Sequence, residues 1–158
     1  MRNVLVEETN REKLEFSLVN RVSNDLQIGL EYGADSKELY PMINYRLTEA
    51  TENFPALILG TSSAWPSGEV DGNAFFLSAA TLLSDRSSGS LSISYTPDND
   101  SWDIPASYRF VLSDEFDASL IWDGNDLHPL VTWRGKRLNM SFILLGGEDP
   151  TISTTVAF

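Results

Sequence analysis

The chain has no cysteine among its 158 residues. That excludes disulfide scaffolds, thiolate metal sites and cysteine nucleophiles, and it suits an oxidising compartment where a stray thiol would be a liability. No apolar run approaches the length of a membrane helix, which excludes a helical membrane protein. Basic residues are scarce. Eleven Lys and Arg stand against 23 Asp and Glu, for a net charge of -12, and no basic stripe exists to neutralise phosphates, so nucleic acid is not expected as a partner. The one basic cluster is Arg134, Lys136 and Arg137, at a single turn. A signal peptide is missing too, because Met1-Arg2-Asn3 runs straight into Val4-Leu5-Val6. On that reading the chain is a processed or recombinant form, or it never leaves the cytoplasm.

What the chain does have is alternation. From Ala106 to Phe158 it reads ASYRFVL, FDASLIWD, LHPLVTWR, RLNMSFILLGG and TISTTVAF, separated by two or three residues of turn chemistry such as Gly124-Asn125, Gly135-Lys136 and Glu148-Asp149-Pro150. Connections this short join only antiparallel neighbours, since a parallel crossover needs a dozen or more residues. Leu138, Met140 and Phe142 fall on one face, with Asn139 and Ser141 on the other. Val131 and Trp133 alternate with Thr132 and Arg134, and Leu120 and Trp122 alternate with Ser119 and Asp123.

Earlier segments repeat the pattern. They are a strand from Asn3 to Glu8, KLEFSLVNRV from Lys13 to Val22, and LQIGLEYG, with Leu26, Ile28 and Leu30 against Gln27 and Glu31. LYPMINYRL follows, with Pro41 expected near a strand end or bulge, and then PALILGTSSAW. NAFFLSAATLL has the composition of a short helix, but period two at Phe75, Leu77, Ala79, Thr81 and Leu83 assigns it to a strand. Gly89 to Thr96 is another strand, and Pro97 to Ile104 reads as an acidic loop.

The expected fold is therefore all-β, a single domain over residues 1–158. It is an antiparallel up-and-down meander closing into a transmembrane β-barrel of about twelve strands, with eight or ten as alternatives. Period two alone does not separate a membrane barrel, large residues toward lipid, from a soluble barrel or sandwich with large residues inward. The flanks favour the membrane. Alternate connections (NREK, ADSKE, PSGEVDG, PDNDSWD, DGND, GGEDP) are on balance longer and more acidic. The intervening ones (SND, TEATENF, SDRSS, SDE, RGK) are mostly tight, TEATENF excepted. Long loops at one end and short turns at the other mark outer-membrane barrels. Tyr32, Tyr40, Tyr45, Trp65, Tyr95, Trp102, Trp122 and Trp133 lie mainly near strand ends, where amphipathic rings suit a membrane interface. The chain also ends on an aromatic, Phe158.

The lipid-facing candidates are then Leu26, Ile28, Leu30, Leu120, Trp122, Val131, Trp133, Leu138, Met140, Phe142 and Phe158. The lumen-lining candidates are Gln27, Glu31, Asn44, Arg46, Arg109, Thr132, Arg134, Asn139 and Ser141, lining a wet pore or a packed polar plug.

Catalytic chemistry is thin. His128 is the only histidine, and no Gly-x-Ser-x-Gly elbow accompanies the many serines, so the bland reading is a strand histidine among polar neighbours. Asp98, Asp100 and Asp103, or Asp123 and Asp126, could ligate calcium, but neither run has EF-hand spacing, and acidic loops are more often simply solvated. No catalytic, cofactor-binding or metal residue is assigned. The expected partners are a lipid bilayer or detergent, with small solutes or polysaccharide as candidate cargo.

Two stretches carry a family resemblance. YRLTEATENFPALILG (Tyr45 to Gly60), with its Glu-x-x-Pro-Ala entry, and DASLIWDGNDLHPLVTWR (Asp117 to Arg134) resemble segments of bacterial outer-membrane barrels linked to exopolysaccharide gene clusters. Asp123, Gly124 and Asp126 match that family's hairpin, and Leu127-His128 stand where it tends to have Val-Asn. The resemblance implies an outer-membrane barrel with a structural or pore role and no catalytic machinery. The residues alone leave a second reading open, a soluble acidic β-barrel or sandwich acting as a binding or assembly subunit.

Overall fold

A computed structural model describes residues 1–6, 12–63 and 73–157. Among these, the chain is built from thirteen strands. They are β1 (Arg2–Val4), β2 (Leu14–Arg21), β3 (Leu26–Gly33), β4 (Leu39–Thr48), β5 (Ala56–Ser63), β6 (Asn73–Ser84), β7 (Ser87–Thr96), β8 (Ser101–Asp103), β9 (Ala106–Val111), β10 (Phe116–Trp122), β11 (Leu127–Arg134), β12 (Leu138–Leu145) and β13 (Asp149–Val156).

Apart from β8 and β9, which both pair with β7, each strand pairs antiparallel with its sequence neighbours, and β1 pairs with β13, so the meander closes on itself. Short β8 and longer β9 lie in succession along the same edge of β7, at Ser94 to Thr96 and at Ser87 to Leu91. They form one stave interrupted at Ile104-Pro105. Thirteen strands thus make a barrel of twelve staves, the strand number the period predicts. Closure removes the free edges that an open sheet must otherwise protect.

The seam is the thinnest part of the wall. β1 holds β13 through Arg2↔Ser153, Asn3↔Ile152 and Val4↔Thr151, and among the described residues it holds β2 through Arg2↔Glu15 and Asn3↔Leu14, with the Val4 N–H donating to the Lys13 carbonyl at 2.8 Å. The Met1 ammonium donates to the Thr154 carbonyl at 3.0 Å and extends the closure by one residue. Below that level Ser17, Val19 and Arg21 of β2 are exposed although they share the inward face of Glu15.

Two details differ from the expectation, and the strand over NAFFLSAATLL agrees with it. The acidic loop after Thr96 contains β8, because Trp102 and Asp103 can reach the end of β7. β13 begins at Asp149 rather than after Pro150, since Pro150 and Asp149 pair with Leu144 and Leu145. NAFFLSAATLL is a strand despite its helical composition, because pairing with β5 and β7 outweighs a propensity of a few tenths of a kcal/mol per residue. Pro41 lies where its missing N–H costs nothing: the β4–β5 ladder starts only at Ile43↔Thr61. The Pro41 carbonyl instead accepts from Thr61 Oγ1 and Asn73 Nδ2. Glu7 and Glu8 of the first expected strand, Trp65, the loop at 66–72 and Phe158 lie outside the described residues.

The described connections at the two ends are of similar length, 34–38 the longest at one and 49–55 the longest at the other. Connections 34–38, 97–100, 123–126 and 146–148 share one end. Connections 22–25, 49–55, 85–86, 112–115 and 135–137 share the other, along with Met1 and the end of β13. These are called the loop end and the turn end below.

Register fixes the two faces. Directly paired residues point the same way, so Asp117, Thr132, Ser141 and Ser153 form one inward row and Ala118, Val131, Phe142 and Ile152 one outward row. Among the described residues the only fully buried hydrophobic ones are Val4, Ala74 and Leu145. Meanwhile Ile28, Leu59, Phe75, Ile93, Leu120 and Phe142 point outward and are 42–53% exposed as a group with Leu77. Most large apolar side chains are outside, and the inner face mixes small and polar residues with Met42, Ile58, Phe76, Ile121, Leu130 and Ile143.

Candidate functional site: the polar interior

The inner face gathers hydroxyls, amides and charges from strands far apart in sequence. Ser88, Ser90, Ser92 and Ser94 of β7 face inward because their partners Leu82, Ala80, Ser78 and Phe76 do. Hydroxyl pairs tie adjacent staves, with Ser90 and Ser107 2.7 Å apart and Thr132 and Ser141 2.8 Å apart. The charges form three groups. Arg2 Nη2 donates to Glu15 Oε2 at 2.7 Å, with both side chains mostly buried. Near the turn end Asp117, 2% exposed, takes the Arg109 guanidinium at 3.2 Å on one oxygen and the Arg134 guanidinium on the other. At the rim of that end Arg46 bridges Asp25 at 2.8 Å and Glu49 at 2.9 Å.

A further group, at the loop end, pairs a carboxylate with a histidine. His128 is fully enclosed, 0% exposed. Its Nδ1 lies 2.8 Å from the Gly146 backbone N, whose N–H can only donate. Nδ1 is therefore unprotonated and the proton sits on Nε2, which donates to Asp123 Oδ2 at 2.8 Å. Asp123 Oδ1 accepts from the backbone N–H groups of Asn125 and Asp126 at 2.8 and 2.7 Å. Burial by itself raises the Asp123 pKa. The hydrogen bonds from His128 and from the two backbone N–H groups outweigh it and hold the carboxyl below its ordinary value. Gly124 has φ 118° beside this node, and a Cβ there would meet Asp103 at 2.7 Å, so the tight β10–β11 turn requires glycine.

Both Asp123 oxygens are thus committed to protein donors, and no three potential ligands converge as a metal site among the described residues. The geometry ties the β10–β11 turn to the β12–β13 turn.

Of the lumen candidates, Gln27, Glu31, Asn44, Arg46, Arg109, Thr132 and Ser141 lie on the inner face and are buried or half-buried. Arg134 and Asn139 share that face, paired with each other, but they sit exposed at the turn-end mouth. They belong to the rim rather than the lumen. Of the lipid-facing candidates, Ile28, Leu30, Leu120, Trp122, Val131, Trp133, Leu138, Met140 and Phe142 are on the outer face and exposed, and Leu26 is on that face but half-buried. Tyr40, grouped with the interfacial aromatics, points inward opposite Glu31. Sequence reasoning missed Asp117, Glu15 and Arg2. Parity could have found Asp117, which shares a face with Ser119 in FDASLIW.

No family model, curated protein or solved structure matches this chain.

Proposed function

We propose that the chain is a bacterial outer-membrane β-barrel with a structural or pore role and no catalytic machinery. The observation that carries this reading is the exposed apolar outer wall, with Ile28, Leu59, Phe75, Ile93, Leu120 and Phe142 on it, around an interior that holds the hydroxyl pairs and the ion pairs. A soluble barrel gains its stability by burying large apolar side chains, whereas a bilayer rewards showing them to lipid. The outward row therefore favours the membrane over a soluble acidic subunit.

Two further features support it. Outward aromatics cluster toward both ends, with Tyr32, Tyr95, Trp102 and Trp122 at the loop end and Tyr45, Phe116 and Trp133 at the turn end. Tyr95 and Trp102 pack with ring centroids 4.8 Å apart. Rings at both margins of an apolar band are the girdles of outer-membrane barrels. Strands of 8 to 12 residues in β2 to β7 approach or reach the 9–11 residues that a tilted spanning strand needs. The loop end then faces the exterior, and small solutes or polysaccharide are the cargo class for the polar interior.

The test is sidedness. Phe142 lies near the middle of β12 and is 50% exposed. Phe142→Arg places a charge near the bilayer midplane and should cost about 2–4 kcal/mol of folding into lipid vesicles. Ser141→Arg, one residue away on the inner face, should lose little more than its hydroxyl bond to Thr132, about 1 kcal/mol. Equal losses for the two variants, in a protein that stays monodisperse without detergent, would overturn the membrane reading.

A further inference from the structure

The described wall is unpaired along part of the seam. The Val22 N–H donates to the Leu26 carbonyl of β3, and the Ala34 N–H donates to the Leu14 carbonyl of β2. Such residues alternate along an antiparallel ladder, so the even-numbered residues of β2 aim their N–H and C=O groups at β3. Those of the odd-numbered residues point to the other edge. There Glu15 pairs with Arg2 of β1, but β1 starts at Arg2, and Ser17, Val19 and Arg21 have no strand beside them among the described residues. The facing edge of β13 is similar. The Thr154 N–H donates to the Met1 carbonyl at 2.8 Å, and the Thr154 carbonyl accepts from the Met1 ammonium at 3.0 Å. Val156, two residues on, points the same way with no described residue paired to it on that side. The side chains agree with the backbone, for Ser17, Val19, Arg21, Thr155 and Val156 are all exposed.

The opening is one strand wide and has one polarity. β1 runs antiparallel to both β2 and β13, and neighbouring strands lie about 4.8 Å apart, so the two edges stand roughly 10 Å apart where β1 lies between them. β2 and β13 are therefore parallel to each other, and a single strand continuing the line of β1 pairs antiparallel with both at once. Register places the opening within the apolar band. Phe16 lies opposite Tyr32 of the loop-end rings. Val22 meets Leu26, which pairs with Tyr45 of the turn-end rings. Between those levels the outward side chains of β2 and β3 include Leu18, Ile28 and Leu30, all exposed. An acyl chain has no donor or acceptor for a strand edge, and hydrocarbon holds no water to supply one. Alternating N–H and C=O groups at a two-residue repeat are what another extended backbone presents.

Resting on the membrane reading above, we propose that this opening is a strand-addition site for an extended segment of another polypeptide. The segment lies between β2 and β13 and runs antiparallel to both. It exchanges backbone hydrogen bonds with Ser17, Val19 and Arg21 on one side and with Val156 on the other. Its residues opposite Leu18, Asn20 and Val22 face lipid and are apolar. Those opposite Ser17, Val19 and Arg21 face the interior and are small or polar. Proline is excluded at these last three, because each donates its N–H to β2.

The probe is an acetylated, fluorescently labelled hexapeptide of alternating leucine and threonine, its leucines set opposite Val22, Asn20 and Leu18. It is titrated against the full chain in detergent micelles, and binding is read by anisotropy. N-methylation of the three threonines removes the donors to β2 and should weaken binding about a hundredfold, the worth of three net hydrogen bonds. N-methylation of the first leucine, whose N–H points away from β2, should leave binding unchanged. Register is read by cross-linking, since the chain has no native cysteine. With cysteine in place of the probe's last leucine, Leu18→Cys should form a disulfide, because directly opposed Cβ atoms come within reach and a slip of one residue turns the probe's cysteine to the other face. Leu30→Cys, enclosed between β2 and β4, should not. If the barrel inserts into vesicles but the threonine-methylated probe binds as well as its parent, or Leu30→Cys cross-links as well as Leu18→Cys, the site is overturned and the membrane reading stands. A disulfide-linked dimer of Leu18→Cys chains in place of the adduct overturns it in favour of a second copy. If the chain neither inserts nor needs detergent, both fall. Should Leu18→Cys fail to fold, the methylated probes on the unaltered chain still decide.

Discussion

Replacing His128 by alanine tests whether the buried node at the loop end ties the two turns together. The imidazole makes two hydrogen bonds, both at 2.8 Å, one to the Asp123 carboxylate and one from the Gly146 N–H. Alanine leaves the Gly146 N–H without an acceptor, a cost of about 1–3 kcal/mol, and removes a donor from a charged partner, about 1.5–3 kcal/mol. A water entering the vacated space would recover part of this. The net expectation is about 3–5 kcal/mol, a large share of the 5–15 kcal/mol that holds an ordinary domain.

Asp123→Asn is not a mild substitute. An asparagine oxygen can serve either the backbone N–H groups of Asn125 and Asp126 or the imidazole Nε2–H, while its NH2 confronts the other donors. That variant should lose about 2 kcal/mol. Because both changes dismantle one node, the double variant should lose less than the sum, with a coupling of about 1–3 kcal/mol. Equilibrium urea unfolding in vesicles or micelles, followed by tryptophan emission, reads these differences, and Trp122 lies next to Asp123. The pH arm has a definite sign. A carboxyl held below its ordinary value contributes stability that is fully present above its unfolded pKa, about 4, and that fades as pH falls through the folded value. The difference between wild type and Asp123→Asn should therefore shrink in acid. His128→Ala within 1 kcal/mol of wild type, or an identical acid dependence for wild type and Asp123→Asn, would refute the reasoning.

Two other perturbations probe the wall. Gly60 points inward, and an added Cβ would lie 2.3 Å from Asn44 Oδ1, 2.7 Å from the Ile43 carbonyl and 2.8 Å from the Phe76 ring. Gly60→Ala should cost about 1–3 kcal/mol through overpacking against backbone, measured as a lower urea midpoint at unchanged slope, and an unchanged midpoint would contradict the close approach. Deleting Thr151 to Phe158 removes the stave that pairs with both β12 and β1. On the proposed membrane reading, unpaired backbone groups in hydrocarbon cost several kcal/mol each, so the truncated chain should fail to insert and should aggregate, as scored by vesicle flotation. Normal insertion of that truncation would contradict the closed wall.

Local information decided a great deal here. Alternation with period two, broken by Gly-Asn, Gly-Lys and Ser-Asp turns, is a property of neighbouring residues, and it dictated antiparallel strands, their order and nearly all their boundaries. The same alternation sorted residues into two sets, so Phe142 and Ser141 could be assigned to opposite faces before any tertiary contact was known. Which set faces inward was beyond it, because a pleat has no inside until the sheet closes. Closure depends on Arg2 meeting Ser153, a pairing between opposite ends of the chain. The partners of the interior charges also arise only across staves, such as Asp117 with Arg109 and Arg134 or His128 with Gly146. In His128 the sequence shows one histidine among polar neighbours. Its enclosure, its tautomer and its hold on two turns exist only because the ring of strands brings position 146 beside it.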